Sequence, residues 1–466
     1  MALDQRRAPL LEELCRHIKM VPTSFHFPGH KRRPSLTDGT QAITYLRKLD
    51  LTEVGALDDL HAPSGVILEA QSLAAEAFGA AETFFMVGGS TAGLHALMLA
   101  AMSPGQLVAL PRNAHRALVG ALILSGARPV WIDIQMDEEL GLGGSVRASS
   151  LTQALTGAKA LFLTHPTYFG RGGNLTAEIK AAHERQVPVI VDEAHGTHFG
   201  FHQSFPASAL SSGADATVQS THKTGGSLTQ SSMCHLGHQH RLDGNRVRDM
   251  LRLVQSTSPS YLLMASLDVA RRELALHGQR DWQRALELAE DARRQIAAVS
   301  GVSVAEADDP TRLVIDVRAR GITGWRASRA LLEQGIGVEM SGPGYFLAII
   351  TPADTPKSIE KLIAAIRRLP AGEGAMELPL APPSPEVVAT PREAYLGPKR
   401  LLPLRQAQGR IAAEMVAPYP PGISVLIPGE RITRDVVGYL QYLSDTGYPV
   451  QGPQDPRLTQ IQVLEE

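Results

Sequence analysis

Short runs of β-branched and aromatic residues alternate with longer, helix-compatible runs between Glu82 and Leu236. This spacing of apolar residues predicts strands that alternate with helices. Such an order is typical of a large α/β domain built on a mainly parallel sheet. The predicted strands are Thr83–Val87, Leu107–Leu110, Pro129–Ile134, Ala160–Thr164, Pro188–Asp192, Ala216–Gln219 and Ser232–Leu236. The predicted helices between them are Thr91–Met102, Ala114–Ser125 and Thr176–Gln186.

Further segments follow this large domain. Leu251–Val299 has mostly helical spacing and leads into a second, smaller α/β domain. The smaller domain is predicted to contain the strands Arg312–Val317, Ile336–Glu339 and Tyr345–Thr351 and the helix Thr355–Arg368. Leu378–Pro391 is rich in proline and predicts a linker into a C-terminal module. We therefore expect an arm over residues 1–64, a large domain over 65–300, a small domain over 301–377, and a linker with the C-terminal module over 378–466.

The composition argues against several classes of function. The 45 basic and 47 acidic residues nearly cancel, so no broad positive field attracts nucleic acid or anionic lipid. Cys15 and Cys234 form neither a disulfide framework nor a structural zinc set, so we expect no metal and a reducing compartment. No apolar stretch has the length of a membrane span or the features of a signal peptide. We therefore expect a cytoplasmic enzyme that acts on small molecules, without a membrane or nucleic-acid partner.

Two chemically useful residues lie at the ends of predicted strands. Lys223 stands in the string Ser220–Gly226, directly after one strand, and a lysine that forms an imine must reach a cofactor aldehyde as the neutral amine. Asp192 ends another strand, and a carboxylate that faces a pyridine nitrogen keeps this nitrogen protonated. Taken singly, a surface lysine and a capping aspartate are ordinary explanations.

Two further features lie at strand ends. Gly88–Gly93 precedes a predicted helix, and its small residues, hydroxyls and N–H groups suit a phosphate dianion, although an ordinary strand-to-helix turn has the same composition. His115 can lie flat on a cofactor ring, although a lone histidine is more often structural. Ligands of such sheets bind beyond the carboxyl ends of the strands. The four features together therefore match one cofactor, pyridoxal 5'-phosphate (PLP).

Asp192–His195 also spells the acidic box of certain helicases and ATPases. Those enzymes require a phosphate-binding loop of the form G-x-x-x-x-G-K-[ST]. The sequence contains no such string, so it argues against nucleotide hydrolysis.

Strings along most of the chain match a known family. They are Phe25–Lys31, Leu57–Pro63, Ser90–Thr91, Pro111–His115, Thr164–Tyr168, Asp192–Gly196, Ser220–Thr224, Tyr419–Ile423 and Pro428–Glu430. With these strings the chain resembles the Orn/Lys/Arg decarboxylase family, which comprises PLP-dependent basic amino acid decarboxylases with the aspartate aminotransferase-like fold (fold type I). It resembles the short form, without the N-terminal wing domain. The resemblance implies a homodimer or a higher homo-oligomer.

The resemblance assigns cofactor-binding residues, which are Ser90, Thr91, His115, Thr167, Asp192, Ala194, His195, Ser220, His222 and Lys223. In this assignment Lys223 bonds to the cofactor aldehyde, Asp192 pairs with the pyridinium and His115 stacks on the ring, and these three are the predicted catalytic residues. The implied reaction converts lysine, arginine or ornithine into CO2 and an amine of polyamine biosynthesis.

A basic substrate needs an acidic or polar group several carbons from the cofactor, because an unpaired buried cation is costly. The candidates are Asp58, Asp59 and Glu430. Acidic residues in loops are also commonly solvated, or they brace a turn.

Two departures from the family pattern predict a looser pocket: Gly225–Gly226 follow the lysine where bulkier residues are expected, and Gly88–Gly89 replace a polar residue and a glycine. Other functions stay open at this point. Another fold type I enzyme, such as an aminotransferase, aldolase or lyase, would share Lys223 and Asp192, and a PLP-binding regulator would show no turnover. Release of CO2 distinguishes the decarboxylase from an aminotransferase.

Overall fold

The computed structural model describes residues 3–20, 46–137, 139–372, 382–419 and 421–465. The family string Phe25–Lys31 and the start of the predicted linker, residues 378–381, lie outside these ranges. The helices are α1 (Pro9–Met20), α2 (Val66–Phe78), α3 (Gly89–Ala101), α4 (Arg116–Ser125), α5 (Ala148–Ala154), α6 (Leu175–His183), α7 (Thr221–Thr224), α8 (Gly244–Val254), α9 (Tyr261–Ala297), α10 (Gly324–Glu333), α11 (Pro356–Arg367), α12 (Pro391–Leu396) and α13 (Arg434–Asp445). The strands are β1 (Glu82–Met86), β2 (Leu107–Pro111), β3 (Arg128–Ile132), β4 (Ile134–Met136), β5 (Gly143–Val146), β6 (Ala160–Thr164), β7 (Val189–Asp192), β8 (Ala216–Gln219), β9 (Ser232–Leu236), β10 (Ser303–Val304), β11 (Arg312–Asp316), β12 (Met340–Ser341), β13 (Tyr345–Ile349), β14 (Lys399–Pro403), β15 (Ala417–Pro418), β16 (Val450–Gln451) and β17 (Gln460–Leu464).

The chain forms two compact units. The first unit consists of Met1–Ala101 and Pro188–Gln279, and the second of Met102–Val187 and Arg280–Glu466. Each unit therefore contains segments that are distant in sequence. The division into arm, large domain, small domain and C-terminal module remains a prediction.

The strands of the first unit follow the order β1-β9-β8-β7. β7 and β8 are parallel, with Asp192 opposite Val218, whereas β9 is antiparallel to both of its neighbours. Every residue of β7, β8 and β9 is buried, because these runs are covered on both faces. The carboxyl ends of β7 and β8 consequently lie side by side.

A glycine lets α3 pack closely on this sheet. A Cβ at Gly93 would lie 2.9 Å from Cγ1 of Val218 in β8, so any side chain at this position would push the helix away. Gly89, at the start of α3, has a φ of 73°, which favours glycine over other residues. The N-terminus of α3 is thereby held beside the strand ends.

The strands of the second unit include the parallel set β6-β2-β3, in which Val108 lies opposite Ala160 and Leu107 opposite Arg128. A separate antiparallel sheet has the order β10-β11-β13-β12. A C-terminal core surrounds α13, which contributes Val436, Tyr439, Leu440 and Leu443. The predicted smaller α/β region and C-terminal module both correspond to folded structure of this unit.

Most predicted elements are confirmed. Ala160–Thr164, Ala216–Gln219 and Ser232–Leu236 are strands with the predicted bounds, and Pro129–Ile134 divides into β3 and β4. The predicted strand Ile336–Glu339 is wrong, because the strand in this region is β12. The chain leaves α10 through Gly335 at a φ of 76°, and the N–H of Ile336 donates to the carbonyl of Leu331, so this segment completes the helix end.

Among the described helices, α9 is the longest and has 37 residues. In the described part of the chain, no helix combines the length and the apolar character that are needed to cross a membrane.

Candidate active site

Lys223 lies on the short helix α7, directly after β8. Its backbone N–H donates to the carbonyl of Ser220, and its Nζ lies 2.9 Å from Nε2 of His195. The lysine side chain is exposed, whereas His195 is buried. An accessible amine thus lies in hydrogen-bond contact with an imidazole that can exchange a proton with it.

Asp192 is the last residue of β7 and is 4% exposed. Its Oδ1 accepts the N–H of Ala194 at 3.2 Å. Burial raises the pKa of Asp192, and the attraction of Lys223 opposes this rise. A buried carboxylate of this kind is stabilised by a cationic partner, which a protonated pyridine nitrogen supplies.

Hydroxyl groups meet at the N-terminus of α3. The hydroxyl of Ser220 donates to that of Ser90 at 3.0 Å, and Thr91 is exposed on the same turn. His222 lies near this group in sequence, and its Nδ1 is 2.8 Å from the carbonyl of Ser231. Burial lowers the pKa of His222, which favours the neutral ring. Helix N–H groups and hydroxyls together form a suitable site for a phosphate.

The glycines around this site are closely packed. A Cβ at Gly225 would lie 2.7 Å from Cγ2 of Thr221 and 3.0 Å from Cγ2 of Thr197, and a Cβ at Gly88 would lie 2.9 Å from that of Ala92. In this structure neither Gly225 nor Gly88 has room for a larger residue, and the looser pocket stays a prediction.

The first unit thus brings most of the predicted cofactor-binding residues to one edge of its sheet: Ser90, Thr91, Asp192, Ala194, His195, Ser220, His222 and Lys223. The edge offers an accessible amine, a buried carboxylate, and hydroxyls at a helix N-terminus. These groups fit the aldehyde, ring nitrogen and phosphate of PLP.

Two predicted cofactor residues belong to the second unit. Nδ1 of His115 accepts the N–H of Ala117 at 3.2 Å and caps α4, while a Cβ at Gly422 would lie 3.3 Å from Nε2 of the ring. Thr167 is buried, and its hydroxyl accepts the N–H of Arg171 at 3.3 Å. Their roles toward the cofactor, and the convergence of His115 with the residues of the first unit, remain predictions.

The acidic residues Asp58 and Asp59 brace a turn. The carboxylate of Asp58 accepts backbone N–H groups of Asp59, Ser64, Gly65 and Ile67 at 2.8 to 3.0 Å. Burial favours the neutral acid, but these hydrogen bonds outweigh it and lower the pKa of Asp58. Asp59 accepts the N–H of His61 at 2.8 Å. These contacts favour the turn-bracing alternative, and the role in substrate binding stays a prediction.

Glu430 has no exposed surface and is already paired. Its carboxylate accepts hydrogen bonds from Nη1 of Arg112 at 2.7 Å, from Nε1 of Trp131 at 3.2 Å and from the N–H of Ile427 at 2.9 Å. Burial raises the pKa of Glu430, and Arg112 opposes the rise. A substrate cation would compete with Arg112 for this carboxylate, so the substrate role of Glu430 is not supported by its contacts.

Sequence reasoning overlooked the pairing of Arg112 with Glu430 and the buried position of Glu193. Arg112 stands in the string Pro111–His115, which is interpreted through His115. Glu193 stands in the string Asp192–Gly196, which is interpreted through its neighbours. For Glu193, a second charged residue directly after Asp192, at the end of the apolar run Val187–Val191, was an available signal.

The fold and the site together define an α/β enzyme of the aspartate aminotransferase-like class, fold type I. Residues 8–316 match the family model for the Orn/Lys/Arg decarboxylase major domain, and residues 378–452 match the model for its C-terminal domain. The chain belongs to the Orn/Lys/Arg decarboxylase family and is an amino acid decarboxylase.

Individual relatives agree with this assignment. The arginine decarboxylase of Bacillus subtilis (strain 168) is 38% identical over 490 aligned residues, which cover 100% of this chain and 99% of the relative. The solved lysine decarboxylase A from Pseudomonas aeruginosa superposes with a TM-score of 0.84 at 24% identity, over 98% of this chain and 80% of that one. A Sphingomonas wittichii serine palmitoyltransferase gives a TM-score of 0.53 at 16% identity, over 65% and 76% of the two chains. The structural matches confirm the predicted fold class.

Proposed function

We propose that this protein decarboxylates arginine to agmatine and CO2 with PLP as its cofactor. The observation that carries the proposal is the cluster of Lys223, Asp192 and the Ser90–Ser220 hydroxyl pair at one edge of the first unit. Arginine is preferred to lysine and ornithine because a full-length relative with 38% identity is an arginine decarboxylase. The lysine decarboxylase found by structure is 24% identical.

When bound, PLP supplies an electron sink for the electron pair that remains at the substrate Cα as CO2 leaves. The protein supplies the setting for this chemistry. Ser90, Ser220 and the N–H groups of α3 bind the phosphate, and the carboxylate of Asp192 holds a proton on the ring nitrogen. Nε2 of His195 accepts a proton from Nζ of Lys223, which leaves the neutral amine that reacts with an aldehyde.

The proposal extends to assembly and location. By its resemblance to the family, the protein is at least a homodimer, works in the cytoplasm, and provides an amine for polyamine biosynthesis. Light scattering after size-exclusion chromatography tests the assembly, and a monomer at micromolar concentration would contradict it.

Purified protein with PLP should release CO2 and form agmatine from arginine, with much lower activity toward lysine and ornithine. Lys223→Ala should abolish the activity because it removes the amine that binds the cofactor. Lys180→Ala changes an exposed lysine on α6 and serves as the matched control, which should retain full activity. Release of CO2 from lysine or ornithine alone would reassign the substrate, and no CO2 from any of the three would refute the proposed reaction.

A further inference from the structure

A second carboxylate lies directly behind the candidate site, one residue after Asp192. Glu193 has no exposed surface. One carboxylate oxygen accepts the N–H of Ala209 at 2.7 Å, and the other accepts Nε2 of Gln219 at 2.7 Å. The hydroxyl of Thr217 lies 3.4 Å from the second oxygen. In the described part of the chain, the carboxylate of this buried acid thus accepts hydrogen bonds from donors within the first unit.

These contacts connect the two strands that carry the site. Glu193 follows the last residue of β7, and Gln219 is the last residue of β8, directly before Ser220. The N–H of Glu193 also donates to the carbonyl of Val218 at 3.0 Å. The hydrogen bond between the side chains of Glu193 and Gln219 therefore links the end of β7, where Asp192 lies, to the end of β8, which leads to Lys223.

We propose that Glu193 is a positioning residue for the reaction: its hydrogen bond to Gln219 fixes the carboxylate of Asp192 relative to the turn that carries Lys223. This inference rests on the proposed function. Backbone pairing already aligns β7 and β8 up to Asp192 and Val218. The hydrogen bond between the side chains of Glu193 and Gln219 adds a second link between the two chain segments, at the strand ends next to Asp192 and Lys223.

The environment of Glu193 is consistent with this role. Burial raises its pKa to about 8, while its hydrogen bonds to Gln219, Ala209 and Thr217 act in the opposite direction. Oε1 of Gln219 is buried and has no hydrogen-bond partner among the described residues. Rotation of the Gln219 amide would present this oxygen to a protonated Glu193, so the link persists in either protonation state.

The test compares Glu193→Ala, Glu193→Gln and the exchange Glu193→Gln/Gln219→Glu. In the exchange variant the amide at position 193 donates to the carboxylate at position 219, so the hydrogen bond between the two side chains is kept. The amide oxygen at position 193 still accepts the N–H of Ala209. Asp268→Asn is the matched control, because it changes another fully buried acid of the same unit that lies in α9, outside the candidate site. The measurements are the pH titration of the visible absorbance of bound PLP, kcat and KM for arginine, and the melting temperature.

Glu193→Ala should shift the absorbance titration and lower kcat by about 100-fold with little change in KM. The reason is that a small displacement of Asp192 relative to Lys223 slows the reaction without removing a contact that binds the substrate. Glu193→Gln should show a smaller effect in the same direction, and the exchange should restore both readouts toward those of the unsubstituted protein. Asp268→Asn should lower the melting temperature and leave the absorbance titration unchanged.

An unchanged titration and kcat in Glu193→Ala would overturn the positioning role, whatever its melting temperature. Should that variant fail to fold, an exchange variant that folds but does not recover the titration would overturn it equally. If the unsubstituted protein binds PLP without releasing CO2, only the proposed reaction fails, and the titration still decides the role of Glu193. Absence of PLP absorbance in the unsubstituted protein would overturn both.

Discussion

At the scale of single residues, three buried carboxylates differ in what stabilises them. Glu430 is paired with Arg112, and Glu193 accepts hydrogen bonds from neutral donors. Among the described residues, the hydrogen bond to Asp192 comes from the N–H of Ala194, and the nearby cation is Lys223. A buried carboxylate with this limited set of partners has acceptor capacity for a cationic ligand group. This difference favours Asp192 as the partner of the cofactor ring.

Glu430→Gln distinguishes a structural role from substrate recognition. The substitution leaves Arg112 without its charged partner, and this guanidinium is largely buried, so we expect the free energy of unfolding to fall by about 3 kcal/mol. Per folded molecule, kcat and KM for arginine should change little. Urea denaturation and steady-state kinetics check the two expectations. A large rise in KM with unchanged stability would instead restore Glu430 as a substrate-binding residue.

Lys223, Asp192 and Glu430 differ in how far their roles can be predicted from sequence. Lys223 and Asp192 can be identified from sequence because one follows a strand and the other ends a strand, and these positions are visible in the local pattern. The pairing of Glu430 was not foreseen because its partner Arg112 is 318 positions away in the chain. A pairing over that distance is set by tertiary packing, which the spacing of residues does not encode.

At the scale of secondary structure elements, the position of α3 determines whether its N-terminus reaches the strand ends. The alternation of strands and helices predicted α3, β7 and β8 closely, because wholly buried strands and apolar helices have distinct periods. The strand predicted over Ile336–Glu339 is wrong, because this segment has strand-like composition while the N–H of Ile336 donates back to the helix α10. Local composition does not show whether a backbone N–H at such a boundary donates to a carbonyl of the preceding helix or to one of a neighbouring strand.

Gly93→Ala tests the close packing of α3 on β8. Alanine favours a helix over glycine by about 1 kcal/mol, but its Cβ would overlap Val218, and overpacking costs about 1–3 kcal/mol. We therefore expect a net loss of stability and weaker PLP binding, because the turn that carries Ser90 moves with the helix. Gly438→Ala in α13 meets no atom within 4 Å and should be stabilising. Thermal melting and PLP titration provide the comparison, and a stabilised Gly93→Ala variant with normal PLP affinity would contradict the packing argument.

At the scale of the whole molecule, the N-terminal segment is built into the first unit. Leu10 and Leu14 of α1 are fully buried in a core that also contains residues of α2 and α9. In α9, Asp268 accepts the N–H of Leu10 at 3.1 Å, and Arg271 donates to the carbonyls of Gln5 at 2.8 Å and Arg7 at 2.6 Å. The described part of the N-terminal segment thus contributes apolar side chains to a core that other helices complete. The extent of the predicted arm, residues 1–64, remains a prediction.

Arg271→Met should therefore weaken the attachment of this segment and lower the stability of the fold, and the loss should depend on pH. Asp268 and Arg271 form a fully buried ion pair, and removal of one partner from such a pair costs about 3–5 kcal/mol. Burial raises the pKa of Asp268 even with Arg271 present, and the substitution removes the opposing attraction. The folded variant then binds a proton more tightly than the unfolded chain does, so its stability should increase as the pH falls through the folded-state pKa toward the unfolded value.

Urea denaturation of Arg271→Met at pH 7 and pH 5 measures this effect. The double variant Arg271→Met/Asp268→Asn is the control, because it has no buried carboxylate at this position to protonate. It should recover part of the lost stability at pH 7 and lose the extra pH dependence. Equal pH dependence in the single and double variants would contradict a buried Asp268 that binds a proton more tightly in the folded variant than in the unfolded chain.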